Sequence, residues 1–427
     1  MVLLKVMPSK LEGDVTAPPS KSYTHRAFAV GLLANGESKI SNPLLSLDTQ
    51  ATIDAIKILG AHVIQRNNFW HVSGTMGKLS PSSNLIDVKN SGTTLRLMTA
   101  IASLSPKSIG LTGDESIRAR PMDPLIDALV KLGARARCEG PHGRPPVVVG
   151  GGLKGGNVEI SGAISSQFIS ALLIACPYAK EDVELTVTEL RSKPYTEMTL
   201  ELLNLAGAEI KHSSDLMDFT IPGKQIFRPL DFDVPGDFSS AAFMLGAGAL
   251  AGVNIKVKNL DVRGVQGDKR IVDLLREFGA EVKVKGKEVE VSSSDLMGIE
   301  ADCGDNPDLV PVLAVLGAVA EGTTKLMNIP HLRHKETDRL RALGTELRKL
   351  GARVEELPDE LRIRGVKQLK GARLNSYGDH RMVMALAVAG LAAQGETIVD
   401  GAENISVSYP NFVDDMRKLG AKVELIL

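Results

Sequence analysis

The sequence predicts an α/β protein assembled from six copies of one βαβαββ unit and divided into two globular domains of three units each. Three observations carry this. A helical pattern ending in Gly-Ala and running straight into a strand recurs six times, in AIKILGAHVI, ALVKLGARAR, LLNLAGAEIK, LLREFGAEVKV, ELRKLGARVEE and DMRKLGAKVEL. Its glycines, Gly60, Gly133, Gly207, Gly279, Gly351 and Gly420, lie 73, 74, 72, 72 and 69 residues apart. Between them a second helix pattern and a β-branched strand recur in the same order.

Each element has a local reason. The Gly of Gly-Ala stands where a helix C-terminus needs a residue tolerant of positive φ, so it stops the helix and turns the chain into the strand. The second helices open at PPSKSYTHRAF, NSGTTLRLM, SSQFISALL, PGDFSSAAF, NPDLVPVLA and YGDHRMVMA, nearly all with Ser, Asn, Asp or Gly where an N-cap belongs. The strands that follow include ESKIS, KSIGLT, VELTVT, VNIKVKN, TTKLMNI and ETIVD, whose alternation suits half-buried strands. A period near 72 residues exceeds solenoid repeats and favours globular domains. The last copy ends in VELIL and lacks a partner strand unless LLKVM at Leu3 to Met7 supplies it. The expected division is therefore residues 1–18 with 237–427 as one discontinuous domain and 19–236 as an inserted one. The chain then crosses twice, near Pro18 to Ser20 and Pro235 to Asp237, which makes a natural hinge.

Composition narrows the function. With 50 Lys and Arg against 51 Asp and Glu, the chain lacks the cationic excess of most nucleic-acid binders and membrane-surface proteins, so any cationic site must be local. Cys138, Cys176 and Cys303 fit no CxxC or disulfide framework and suggest a reducing compartment. No basic segment followed by an apolar run and cleavage site opens the sequence, and the apolar stretches of about a dozen residues fall well short of the roughly 20 that a spanning helix needs. A cytoplasmic location and no membrane partner are expected.

Unusual polar residues gather at the starts of the second helices, where unpaired N–H groups and the helix dipole favour anions. Lys21, Ser22 and Arg26 lie in the first copy, Asn90, Gly92, Thr93 and Arg96 in the second, and Ser165, Ser166 and Gln167 in the third. Asp237, Asp308 and the Asp379-His380-Arg381 run open the others, with Arg118, Arg120, Lys335 and Arg339 in following loops. Taken singly, Ser, Asn and Asp at helix starts are plain caps. Repeated Lys or Arg in a first turn opposes the dipole, so the set points to bound phosphate or carboxylate. Asp308 and Glu336 are the candidate acid and base; either could instead be an ion-pair partner.

Other constellations carry less. His331 and His334 are spaced HxxH, yet no further ligand cluster accompanies them and Lys335 would repel a cation, so no metal is expected. GGGLKGG at Gly150 to Gly156 lacks the Walker pattern and a following helix, so a hairpin turn is expected there. The single Trp70 offers no stacking platform for single-stranded nucleic acid.

In order along the chain, PSKSYTHRA, NSGTTLR, RARP, SSQF, RSKPY, KETDRL and DHRM resemble the signatures of the enolpyruvyl transferases, on the branch whose acceptor is shikimate 3-phosphate. The resemblance covers essentially the whole chain. It implies an inverse α/β, barrel-like fold of two similar domains with the active site in the cleft between them, a monomer, and no metal or organic cofactor. The implied reaction moves the enolpyruvyl group of phosphoenolpyruvate to the 5-hydroxyl of shikimate 3-phosphate and releases phosphate. By position, Lys21, Ser22, Arg26, Ser165, Ser166, Gln167, Ser192, Tyr195, Asp308 and Lys335 would hold shikimate 3-phosphate. Lys21, Gly92, Arg120, Gln167, Arg339 and Arg381 would hold phosphoenolpyruvate. Asp308 would take the 5-hydroxyl proton, and Glu336 or Lys21 would protonate the donor's methylene carbon.

Two positions depart from the bacterial pattern. Val407 stands where a Lys precedes the SYP element, and His331 where an Asn lies four residues before the KETDR lysine. The related transferase acting on UDP-N-acetylglucosamine is an alternative, but it has Lys-Asn in place of Lys21-Ser22 and a Cys in the loop where this chain reads GDESIRAR. A noncatalytic anion-binding scaffold is a further alternative; Asp308 and Glu336 together in a cationic setting argue against it.

Overall fold

In the computed structural model, which describes residues 2–67 and 69–427, every Gly-Ala junction takes the backbone that the repeat demands. The six glycines have φ of +112°, +93°, +77°, +93°, +94° and +93°. A Cβ is penalised in that region, so each helix ends there and a strand begins two residues on, or four in the third copy, where Lys211 opens it.

The chain divides into two compact units, Met1–Ser20 with Pro235–Leu427 (the flanking unit) and Lys21–Val234 (the inserted unit). The inserted unit holds α1 (Lys21–Leu33), α2 (Leu47–Ile58), α3 (Gly92–Ala102), the one-turn α4 (Glu115–Arg118), α5 (Asp123–Lys131), α6 (Gln167–Ala175) and α7 (Lys193–Leu205). The flanking unit continues with α8 (Phe238–Ala251), α9 (Ile271–Glu277), α10 (Val310–Val319), α11 (Arg339–Lys349), α12 (His380–Ala392) and α13 (Phe412–Lys418). Among the described residues, no helix is long and apolar enough to cross a membrane.

The second helix of each copy is almost wholly buried, whereas the helices that end at Gly-Ala keep an exposed face. In the flanking unit α8, α10 and α12 are apolar on all sides, pack on one another and are buried over nearly their whole length, as a helix without a polar face must be. Four-stranded sheets cover them. Each sheet turns one set of alternating residues inward, as Val183–Leu190 does in the inserted unit, and leaves the other set to solvent. Among the described residues none of the sheets closes on itself, and each keeps two edges.

The repeat order is the same in every copy. In the second, Leu85–Asp87 runs parallel to Ile109–Thr112, which pairs antiparallel with Arg144–Gly150, and Arg135–Gly140 forms the edge. The chain crossings complete copies that are discontinuous in sequence. Leu11–Thr16 runs parallel to Gly252–Lys258, and Asp231–Asp233 runs parallel to Glu37–Ser41. Leu3–Met7 fills the gap in the sixth copy, antiparallel to both Thr397–Asp400 and Lys422–Ile426. The crossing segments are tied by Ser20 N–H to Pro235 O at 2.7 Å and Asp237 N–H to Pro18 O at 2.8 Å. The Gly-rich run at Gly150 to Gly156, expected as a hairpin turn, instead links strands of two different sheets. Four of its glycines, Gly151, Gly152, Gly155 and Gly156, sit at positive φ, a backbone that glycine adopts without strain.

Candidate active site

In the inserted unit the starts of α1, α3, α6 and α7 are joined by side-chain hydrogen bonds. Lys21, the first residue of α1, places Nζ 2.8 Å from Asp48 Oδ2, so a carboxylate already compensates the cation that the helix dipole disfavours. Asp48 is buried. Burial pushes its carboxyl up, but Lys21 and His25 outweigh burial and hold it well below the ordinary carboxylate range. From Asp48 a buried chain continues: His25 Nε2 lies 3.4 Å from Asp48 Oδ1, His25 Nδ1 2.7 Å from Thr52 Oγ1, and Thr52 Oγ1 2.6 Å from Thr94 Oγ1. Thr94 also contacts Ser91, the N-cap of α3. The start of α1 and the Asn90–Arg96 segment are thus fixed relative to each other.

Gly92 opens α3 because of a close approach. A Cβ there would stand 2.3 Å from Arg120 Nη1, so only glycine lets this buried guanidinium lie over the helix start. Gln167, at the start of α6, donates to Thr93 Oγ1 at 2.8 Å and accepts from Arg96 Nη1 at 2.7 Å. Ser165 Oγ accepts from Gln167 N–H at 3.2 Å, and Ser166 is the N-cap residue. Ser192 takes the left-handed conformation, φ +58°, at the N-cap of α7, a backbone that non-glycine residues hold at a cost and that clusters at ligand sites.

Arg26 is only 1% exposed and faces inward along α1. It donates to Thr199 Oγ1 (2.8 Å), Ser22 O (3.0 Å), Tyr195 O (3.0 Å) and Ser170 Oγ (3.3 Å), and it lies over the Tyr195 ring. These bonds engage four of the five N–H groups a guanidinium carries. Arg26 therefore knits α1, α6 and α7 together.

In the flanking unit the residues expected from adjacent copies meet at Asp308. One carboxylate oxygen receives Arg339 Nη1 at 2.9 Å and the other receives Arg381 Nη2 at 2.9 Å. Arg339, 1% exposed, also bonds Glu336 at 2.8 Å and Asp379 at 2.7 Å. Burial works against its charge, but Asp379, Glu336 and Asp308 more than offset that, and the guanidinium is held above its ordinary value. Burial likewise raises Asp308, yet Arg381, Lys335 and Arg339 prevail and its carboxyl sits well below the usual range. Asp379 accepts from Arg381 N–H at 2.8 Å and so both caps α12 and orients Arg339. His331 is buried in the short turn Pro330–His334, and Val407 ends another turn, Ala402–Val407.

Sequence reasoning missed Asp48 and Asp268. Asp48 lies in the first turn of α2, behind the Ser46–Thr49 capping box, a signal that marks a helix start and nothing more. Asp268 lies in Gln266-Gly267-Asp268, ahead of α9, where Gln266 accepts from Phe238 N–H and donates to Gly236 O. Sequence reasoning also took the first-turn cations as evidence for a bound anion; Lys21, Arg339 and Arg381 each have carboxylate partners within the fold. The arrangement is a set of preformed ion pairs whose cations an anionic ligand would share or capture.

The family description "EPSP synthase (3-phosphoshikimate 1-carboxyvinyltransferase)" matches residues 6–416. A 3-phosphoshikimate 1-carboxyvinyltransferase of Methanocaldococcus jannaschii is 49% identical over 422 residues, covering 97% of each chain. That of Methanosarcina mazei is 50% identical over 425 residues, covering 98% of each. Among solved structures, an EPSP synthase of Acinetobacter baumannii superposes over 100% of both chains with a TM-score of 0.83 at 25% identity. With ordered signatures, repeat architecture and near-complete relatives in agreement, the chain belongs to the EPSP synthase family, the 3-phosphoshikimate 1-carboxyvinyltransferases.

Proposed function

We propose that this enzyme transfers the 1-carboxyvinyl group of phosphoenolpyruvate to the 5-hydroxyl of shikimate 3-phosphate and releases phosphate. The observation that carries the reading is the Asp308 carboxylate held between the guanidiniums of Arg339 and Arg381, with Glu336 on the same Arg339. An acid–base pair and an anion clamp share one cluster.

In this reading Lys21, Gly92, Arg120, Gln167, Arg339 and Arg381 serve the donor, and Lys21, Ser22, Arg26, Ser165, Ser166, Gln167, Ser192, Tyr195, Asp308 and Lys335 serve the acceptor. The acceptor's 5-oxygen attacks C2 of the donor while its proton passes to Asp308, and Glu336 or Lys21 delivers a proton to C3. The tetrahedral adduct then loses phosphate from C2 and a proton from C3, which restores the double bond. At rest Asp308 is a weak base, because two guanidiniums stabilise its ionised form. The donor's carboxylate competes for Arg381, and its arrival loosens that hold and raises the basicity of Asp308 as the proton is needed. Positioned cations then stabilise the departing phosphate.

Lys21-Ser22 and the thiol-free loop before Arg120 favour the shikimate acceptor over a nucleotide sugar, and Asp308 with Glu336 favours catalysis over a passive scaffold. Such a biosynthetic role suits the cytoplasm and a monomer. The test is phosphate release from phosphoenolpyruvate with shikimate 3-phosphate, with UDP-N-acetylglucosamine, and alone. Release with the first acceptor only is expected; release with the second, or with neither, rejects the assignment.

A further inference from the structure

Behind the Asp308–Arg381 pair lies a carboxyl that the reaction itself does not use. Asp268, 3% exposed, accepts the Ser239 hydroxyl at 2.5 Å and lies 3.5 Å from Asn306 Nδ2. Ser239 is the second residue of α8, and its backbone carbonyl accepts from Arg381 Nη1 at 3.3 Å. The other terminal nitrogen of Arg381 is on Asp308 at 2.9 Å. A planar guanidinium fixed at both ends has a fixed fork direction. One end rests on a serine whose side chain is tethered to Asp268.

We propose that Asp268 is a positioning residue for the donor: through Ser239 it fixes the Arg381 fork, and its charge state tunes how strongly that fork holds the donor's carboxylate. The inference rests on the reading that Arg381 serves phosphoenolpyruvate. The groups facing Asp268 are Asp308, Asp237, Cys303 and Arg381. Asp308 is held ionised by its guanidiniums, Asp237 accepts the Ser240 hydroxyl at 2.8 Å, and burial pushes the Cys303 thiol up to about 12, so it stays neutral near pH 7. Burial, then Asp308, pushes Asp268 itself up to about 7. Losing its proton places a second carboxylate behind Arg381 and weakens the attraction Arg381 offers an anion.

The experiment uses full-length wild type, Ser239→Ala and Asp268→Asn, with each substrate varied at saturating levels of the other between pH 6 and 8.5. Ser239→Ala is expected to raise the KM for phosphoenolpyruvate roughly tenfold while that for shikimate 3-phosphate changes less than about twofold. Asp268→Asn still accepts from Ser239 but cannot ionise. Its KM for phosphoenolpyruvate should match wild type at pH 6, and the wild-type to Asp268→Asn ratio should climb as pH rises through neutrality. Titration of the donor's own phosphate is common to both enzymes and cancels in that ratio. Equal changes in both KM values for Ser239→Ala, or a ratio flat across the range, overturns the proposal. Should one variant fail to fold, the other decides alone. A wild type that releases no phosphate from the pair rejects the functional reading instead. Equilibrium dialysis of phosphoenolpyruvate against wild type and Ser239→Ala then decides the positioning role, with equal retention overturning it.

Discussion

Replacing Gly92 by Ala tests whether the donor site depends on the close approach of Arg120. The added Cβ would stand 2.3 Å from Arg120 Nη1 and 3.2 Å from its Cζ. Ordinary contact begins near ~3.5 Å, so the guanidinium must withdraw by about 1 Å. The backbone raises no objection, because Gly92 is not among the positive-φ residues and opens a regular helix. The clashing atoms are also the far end of a flexible side chain, so the fold should accommodate the change by swinging Arg120 aside, with stability altered by less than about 1 kcal/mol. Binding should not escape. A hydrogen bond to a charged group contributes about 1.5–3 kcal/mol, so losing its alignment should raise the KM for phosphoenolpyruvate by roughly 10- to 100-fold. The KM for shikimate 3-phosphate should stay within about threefold. Steady-state kinetics varying each substrate, with thermal melts as control, measure this. Arg120→Ala added to Gly92→Ala should cost little more, because both remove one interaction. An unchanged KM for phosphoenolpyruvate, or fully additive losses, would refute the reasoning.

Other outcomes follow from the same geometry. Asp308→Asn should retain shikimate 3-phosphate, seen by calorimetric titration, while turnover drops by about 10²- to 10⁴-fold; near-normal turnover would remove Asp308 from proton transfer. Asp48→Asn leaves Lys21 without its buried partner and should cost about 3 kcal/mol in urea unfolding. Because the Asp48 carboxyl is depressed in the folded state, that difference should be full above about pH 4 and shrink as pH falls below it. Asp268 has the opposite sign: its folded carboxyl is raised, so wild type should lose stability relative to Asp268→Asn as pH climbs from about 4 to about 7, then level off. Gly351→Ala meets nothing within 4 Å at φ +94° and should cost about 1–2 kcal/mol from backbone strain alone, read from urea midpoints.

Whatever depends on a residue and its near neighbours was legible along the chain. A glycine ending a helix at positive φ, an Asp or Ser N-cap and a strand's alternation are each fixed within a few residues, so six Gly-Ala junctions announced six units and their element order. The missing sixth strand was legible for the same reason, since VELIL needed a partner and Leu3–Met7 was the spare. Most site residues were legible as types at helix starts. Their partners were not. Asp48 against Lys21 and Asp268 against Ser239 are contacts between different elements of one copy, and Asp379 on Arg339 joins two copies, all made only when the elements pack. No spacing along the chain encodes such a distance. Tertiary structure also decided that the sheets stay open and that Arg26 turns into the protein as a strut. Burial selected these outcomes: an interior guanidinium or carboxylate must find partners wherever packing brings them. Gly92 marks the boundary between the two kinds of information, a residue visible in a motif whose reason, the Arg120 guanidinium lying against it, exists only in three dimensions.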